Sequence, residues 1–121
     1  MSPVDIVIRA RNDMPLIEET LKGVRSQSLP AAILVMDNES CDGTTDVARD
    51  LADRVIDVPA GTYVPGAVLN QAMEATESER VVFLNSDCTP LDDRWLVTLL
   101  AGFDSECVAA VFGRQMPRPD C

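Results

Sequence analysis

With 121 residues, 46% of them hydrophobic, the chain is large enough for one core and one domain. Its net charge of −10 excludes nucleic-acid backbones as partners, because affinity for them rests on lysine and arginine neutralising phosphates. No apolar run approaches the length that crosses a bilayer, and the start, MSPVDIVIRA, has an acidic residue where a secretory leader wants basic ones, so a cytoplasmic location is the default reading.

The apolar pattern switches between two periods. VDIVIR (4–9) reads as a strand. PLIEETLKGVRSQS (15–28) puts Leu16, Ile17, Leu21 and Val24 on one helical face, with Asp13 as its cap and Pro15 in its first turn. AILVMD (32–37) is a second strand, and TTDVARDLADR (44–54) a helix with the stripe Val47, Ala48, Leu51 and Ala52. A short strand around 55–58 precedes a third helix over 65–76, buried through Val68, Leu69, Ala72 and Met73. RVVFLN (80–85) is a fourth strand, apolar on both faces and therefore central in a covered sheet. A fourth helix over 92–103 turns Trp95, Leu96, Leu99, Leu100 and Phe103 inward, with Asp92 and Asp93 at its cap, and CVAAVFG (107–113) reads as a fifth strand. Strict alternation predicts an α/β fold with a parallel sheet wrapped on both faces. In such sheets ligands bind beyond the carboxyl ends of the strands, where strand order reverses. RARND, DNES and NSDC, which end the first, second and fourth strands, all arrive at that edge.

The chain has no histidine, which removes the usual general base and every Ser-His or Cys-His nucleophile pair. Its four cysteines (41, 88, 107 and 121) form no CxxC pair, so they read as reduced thiols rather than zinc ligands. Chemistry here has to run on carboxylates, amides, arginines or a metal. Asp37 can accept an N–H from a base or take a ribose hydroxyl, or it can cap the next helix. Asp42 and Thr44 lie closer to that helix, which leaves Asp37 freer for a ligand. Asn85 and Asp87 can aim an amide oxygen and a carboxylate into one small volume, as Mg²⁺ or Mn²⁺ with phosphate and water ligands requires; the alternative is an Asx turn before Pro90. Arg9 and Arg11 can stack on a base, pair with phosphate, or neutralise nearby acids, and alternation allows only one of them to face the site. Glycines after the first strand, as in dinucleotide-binding domains, are missing, and so is a P-loop. Lys22 is the only lysine, so the lysine that a phospho-acceptor receiver domain needs after its fifth strand is missing too.

VDIVIRARND, ILVMDNESCDGTTDVA, VLNQAMEA and VVFLNSDCTPLDDRWL together resemble, in order and spacing, the first half of a family 2 glycosyltransferase of the GT-A fold. IRARND (8–13) stands where the family has a segment like IPARNE, MDNESCDGT (36–44) where it has VDDGSTDGT, and NSD (85–87) where it has DxD. VFGRQMPRP (111–119) looks like the subset that includes bacterial rhamnosyltransferase-like enzymes of surface polysaccharide synthesis. The resemblance implies a Rossmann-like, mostly parallel sheet with the order βαβαβαβαβ, incomplete at its carboxyl end. Residues 1–121 would be the nucleotide-sugar-binding part of the domain. It places Arg9 and Arg11 in a base pocket, Asp37 on the pyrimidine, Asn38, Asn70 and Asn85 in the nucleotide-binding set, and Asp87 on a Mg²⁺ or Mn²⁺ that bridges the donor diphosphate. Asn38 and Asn85 replace acids of the family pattern, so the metal should be held less tightly, and Arg9 stands where the family often has proline. The implied reaction is inverting transfer from a nucleotide diphosphate sugar to a hydroxyl of a saccharide or lipid-linked acceptor, in the cytoplasm or at the inner face of the membrane. The catalytic base is expected beyond Cys121, which leaves these residues little transferase activity of their own. An exposed fifth strand should favour self-association. The rival reading is a non-catalytic nucleotide-binding or assembly module using the same edge.

Overall fold

In the computed structural model, residues 4–59, 61 and 64–119 are described. The elements run β1 (Val4–Ala10), α1 (Leu16–Arg25), β2 (Ala32–Asp37), α2 (Thr44–Leu51), β3 (Arg54–Asp57), α3 (Pro65–Ala75), β4 (Arg80–Asn85) and α4 (Trp95–Leu100). The strands form one sheet in the order β3-β2-β1-β4, and every pairing is parallel. This is the expected α/β fold, with eight of the nine elements where the periodicity puts them.

Side chains alternate across the sheet and divide the core in two. Ile6, Ile8, Ile33 and Val35 lie on one face, beneath Ile17, Leu21 and Val24 of α1, Ala48 of α2, and Leu96 and Leu100 of α4. Val7, Leu34 and Met36 lie on the other, beneath Val68 and Ala72 of α3. The four residues of the first face are at most 1% exposed, and each is worth roughly 1.5–3 kcal/mol relative to an exposed side chain. Helix chemistry agrees with this packing. α1 carries Glu18 and Glu19 in its first turn and Lys22 and Arg25 in its last, matching the helix dipole, and Pro65 starts α3.

Five expectations need correction. Residues 107–113 form no strand. A strand exists only through a ladder, and this segment instead folds back on the end of α4, where a Cβ on Gly102 would come within 2.7 Å of Val111 Cγ1. β4, expected in the middle of the sheet, is thus an edge strand with an open outer side among the described residues, and its Phe83 is 44% exposed. α4 is shorter than 92–103, and Phe103 lies past its end beneath the Arg80 guanidinium, 4.6 Å from the ring centre. Met73, expected inside, is 48% exposed because α3 buries only the narrower stripe of Val68 and Ala72. Asp13 does not cap α1, since its carboxylate is engaged elsewhere.

Candidate functional site

Register brings three polar strand ends to one level. Ala10 lies opposite Asp37, and Arg9 opposite Asn85. β1 connects to β2 on one side, while β4 arrives on its other side after a crossover. The crevice between the ends of β1 and β4 is therefore the reversal point at which such sheets bind ligands.

The loops after β1 and β2 are stitched together. Asn12 N–H donates to Ser40 Oγ at 2.9 Å, Cys41 N–H to Asn12 Oδ1 at 2.7 Å, Asp13 N–H to Thr44 Oγ1 at 3.0 Å, and Met14 N–H to Asp42 Oδ2 at 3.1 Å. The Asp42 carboxyl is held below its ordinary value chiefly by the Thr44 hydroxyl, with backbone N–H groups adding to the effect. Glu39 adopts a left-handed φ of 48° within this loop. That conformation is unfavourable for a residue with a Cβ, and such residues cluster at ligand sites.

Asp37 is not free, contrary to the expectation drawn from its neighbours. It is 1% exposed, and its two oxygens accept hydrogen bonds from Ser40 Oγ at 2.6 Å and from Thr45 Oγ1. Although Asp42 takes the Thr44 backbone N–H at 3.1 Å, α2 starts with hydroxyls in its first turn, and Thr45 reaches back beneath the loop. Asn38, the next residue, is 4% exposed, and its Oδ1 is buried with no hydrogen-bond partner among the described residues. A buried acceptor left unpaired is costly unless a ligand or water supplies the donor.

At the other side of the crevice Arg9, not Arg11, turns to β4. Its Nη2 donates to Asn85 Oδ1 at 3.0 Å. Arg11 is exposed, and its guanidinium makes no hydrogen bond or ion pair among the described residues. Asn70, on α3, is exposed. The turn after β4 closes through Cys88 N–H to the Asn85 carbonyl at 3.0 Å, a backbone turn rather than an Asx turn. Ser86, 2% exposed, donates from Oγ to Asp13 Oδ2, and Thr89 Oγ1 shares a hydrogen with Thr20 Oγ1 at 3.3 Å. The exposed Asp87 carboxylate has, among the described residues, a single side-chain partner, the adjacent Cys88 thiol at 3.7 Å. Burial, with the Asp87 charge beside it, pushes the Cys88 thiol up, so the thiol stays protonated and uncharged at neutral pH.

No group of three or more Cys, Asp or Glu side chains among the described residues is placed to hold a metal by itself. A lone exposed carboxylate fits instead a hard cation that brings phosphate and water ligands with it. A trough of about 2030 Å³ runs along β4, α4 and residues 108–119, and Arg9, Asn85 and Asp87 are among its lining residues. It is larger than the ~300–1,000 Å³ of ordinary ligand pockets, and it marks the open edge of β4 rather than a binding cleft.

Ser86, Asp13 and Arg118 were not picked out as site residues from the sequence. Ser86 was detectable in principle: in N-S-D the middle residue has to point away from its neighbours, into the protein. Arg118, which holds the Asp87 carbonyl at 2.7 Å, gave no local signal.

Known proteins resemble this chain in sequence and fold. The family model described as Glycosyl transferase family 2 matches residues 5–121. The O-antigen chain rhamnosyltransferase WbaN of Salmonella anatum is 33% identical over 92 residues, which are 75% of this chain and 29% of that protein. Among solved structures, a mannosyltransferase from Pyrobaculum calidifontis in complex with GDP-Man and Mn²⁺ superposes with a TM-score of 0.75 at 26% identity, covering 88% of this chain and 33% of that one. Glucosyl-3-phosphoglycerate synthase from Mycobacterium tuberculosis, in complex with Mn²⁺, UDP and glucosyl-3-phosphoglycerate, gives 0.67 at 25% identity, covering 83% of this chain and 39% of that one. The chain thus spans about a third of the length of the proteins it matches.

Proposed function

Since the chain belongs to glycosyltransferase family 2, we propose that it is the donor-nucleotide part of an enzyme that moves a sugar from a nucleotide diphosphate sugar to an acceptor hydroxyl. The observation that carries this reading is the exposed Asp87 carboxylate, met among the described residues only by the weak donor of the adjacent Cys88 thiol, at the crevice where strand order reverses. Its other polar neighbours in the turn are tied elsewhere: Asn85 by Arg9, Ser86 by Asp13, and Thr89 by Thr20.

Asp87 would hold Mg²⁺ or Mn²⁺, whose charge offsets that of the departing diphosphate. Asn38 offers its unpaired Oδ1 to an N–H of the base. Asp37 supports that contact from below by fixing Ser40 and Thr45. Arg9 and Asn85 form the wall between base and diphosphate, with Arg11 and Asn70 at the rim. Asp13, Asp37 and Asp42 are all committed to hydrogen bonds within the loops, so the base that deprotonates the acceptor lies outside this set. Transfer then proceeds by direct displacement with inversion. The likeness to an O-antigen rhamnosyltransferase supports a role in surface polysaccharide synthesis on a saccharide or lipid-linked acceptor, in the cytoplasm or at the inner membrane face. No helix among the described residues is long and apolar enough to cross a membrane.

Titration calorimetry with UDP, dTDP and GDP, each with and without Mn²⁺ or Mg²⁺, tests the proposal. Metal-dependent heats that differ among the three bases are expected. Absent or equal heats for all three would refute nucleotide recognition at this edge and leave an assembly module as the better reading.

A further inference from the structure

Arg118 belongs to the irregular segment after α4, yet its guanidinium is folded under the 85–89 turn. Nη2 donates to the Asp87 carbonyl oxygen at 2.7 Å and to Thr89 Oγ1 at 3.3 Å, while Nη1 donates to Glu19 Oε2 at 3.2 Å. One planar group thereby joins the turn to α1, and its side chain is only 30% exposed. The turn already rests on α1 through Thr89 and Thr20, and Pro90 sits against Gly23, where an added Cβ would lie 3.2 Å from Pro90 Cδ. Arg118 adds what those contacts leave open, the orientation of the Asp87 peptide. It makes no ion pair with the Asp87 carboxylate among the described residues. It holds the carbonyl and leaves the carboxylate's charge available.

We propose that Arg118 is a positioning residue for the metal-binding carboxylate, acting through the Asp87 carbonyl so that the side chain is presented to the cation in one orientation. The inference rests on Asp87 being the metal ligand. A guanidinium fits the task because its donors are fixed in one plane and reach three acceptors together, and the charge-assisted bond to the carbonyl is short. Lysine, with a single ammonium on a flexible stem, cannot reproduce that bridge.

The test compares the wild-type chain with Arg118→Ala, Arg118→Lys and Asp87→Ala. Free Mn²⁺ is measured by electron paramagnetic resonance in the presence of UDP, dTDP or GDP. Metal-free binding of the same diphosphates and urea midpoints are measured alongside. Arg118→Ala should weaken Mn²⁺ binding by about 10-fold or more, the usual effect of removing a group that orients a metal ligand, with metal-free nucleotide binding within about twofold of wild type. Arg118→Lys should recover only part of the loss, and it carries the test alone if the alanine variant does not fold. Wild-type Mn²⁺ affinity in the Arg118 variants, while Asp87→Ala abolishes it, would overturn this inference and leave the function intact. So would equal losses of metal-dependent and metal-free binding, which would make Arg118 a mere anchor. A wild-type chain without metal-dependent binding would overturn the functional reading and this inference together.

Discussion

Replacing Asp37 with asparagine separates two roles that a carboxylate at the end of β2 could have. Its oxygens each accept a hydroxyl hydrogen, from Ser40 and from Thr45, and the side chain is 1% exposed. Asparagine preserves the shape and one acceptor oxygen but turns an NH₂ toward the other hydroxyl. One hydrogen bond to a charged acceptor is then lost, at about 1.5–3 kcal/mol. With a urea m-value of about 1–3 kcal/mol/M, the unfolding midpoint should fall by roughly 1 M. The fluorescence of Trp95, the single and half-buried tryptophan, reports the transition. In the proposed reading Asp37 acts on the loop rather than on the ligand, so nucleotide binding to the folded variant should weaken only modestly. An unchanged midpoint together with lost nucleotide binding would refute this and return the carboxylate to the base.

Asp87→Ala should abolish metal-dependent nucleotide binding while leaving the melting temperature unchanged, since the exposed carboxylate supports nothing else in the turn; a large drop in melting temperature would mean that it has a structural role. Asn85→Asp should tighten Mn²⁺ in the same titration, and more so when Arg9→Gln removes the guanidinium 3.0 Å away that would otherwise neutralise the new charge. The Asp42 pKa is depressed in the folded chain, so its contribution to stability is present above the ordinary carboxylate pKa of 3.8 and is lost as pH falls below it. Asp42→Asn should accordingly flatten the decline in urea midpoint between neutral pH and about pH 2.5. Phe112, 96% exposed, and Phe83, 44% exposed, flank the open edge of β4, so light scattering should show concentration-dependent association that Phe112→Ser reduces.

Most of the fold was legible because amphipathic periods are local. Ile17, Leu21 and Val24, or the uninterrupted apolar run of β4, declare their elements without reference to the rest of the chain. Residues 107–113 look equally strand-like, but a ladder is a relation between two segments, and the pattern of one segment cannot say whether a partner is there. The site was legible to the same degree. That three polar clusters meet at one edge follows from alternation. Arg9 and Arg11, two residues apart, would share a face of one strand, so alternation cannot separate them; what does is that β1 ends at Ala10, which leaves Arg11 beyond the ladder. Asp37 looks unengaged when distances are counted along the chain, where Asp42 and Thr44 are nearer the helix, whereas Thr45 comes back to it through space. Arg118 lies beyond any such counting, 31 residues from the carbonyl it holds.

The stitching of residues 12–14 to residues 40–44 bears on how this site could be re-engineered. Each loop supplies both donors and acceptors to the other, from Asn12 and Ser40 through to Met14 and Asp42. A chimera that imports one loop from a relative with a different base preference would bring half of a matched set and leave main-chain N–H groups facing the wrong acceptors. The smallest transplantable module is the pair of loops together with Thr44 and Thr45, and specificity at this edge should pass between relatives as that block rather than residue by residue.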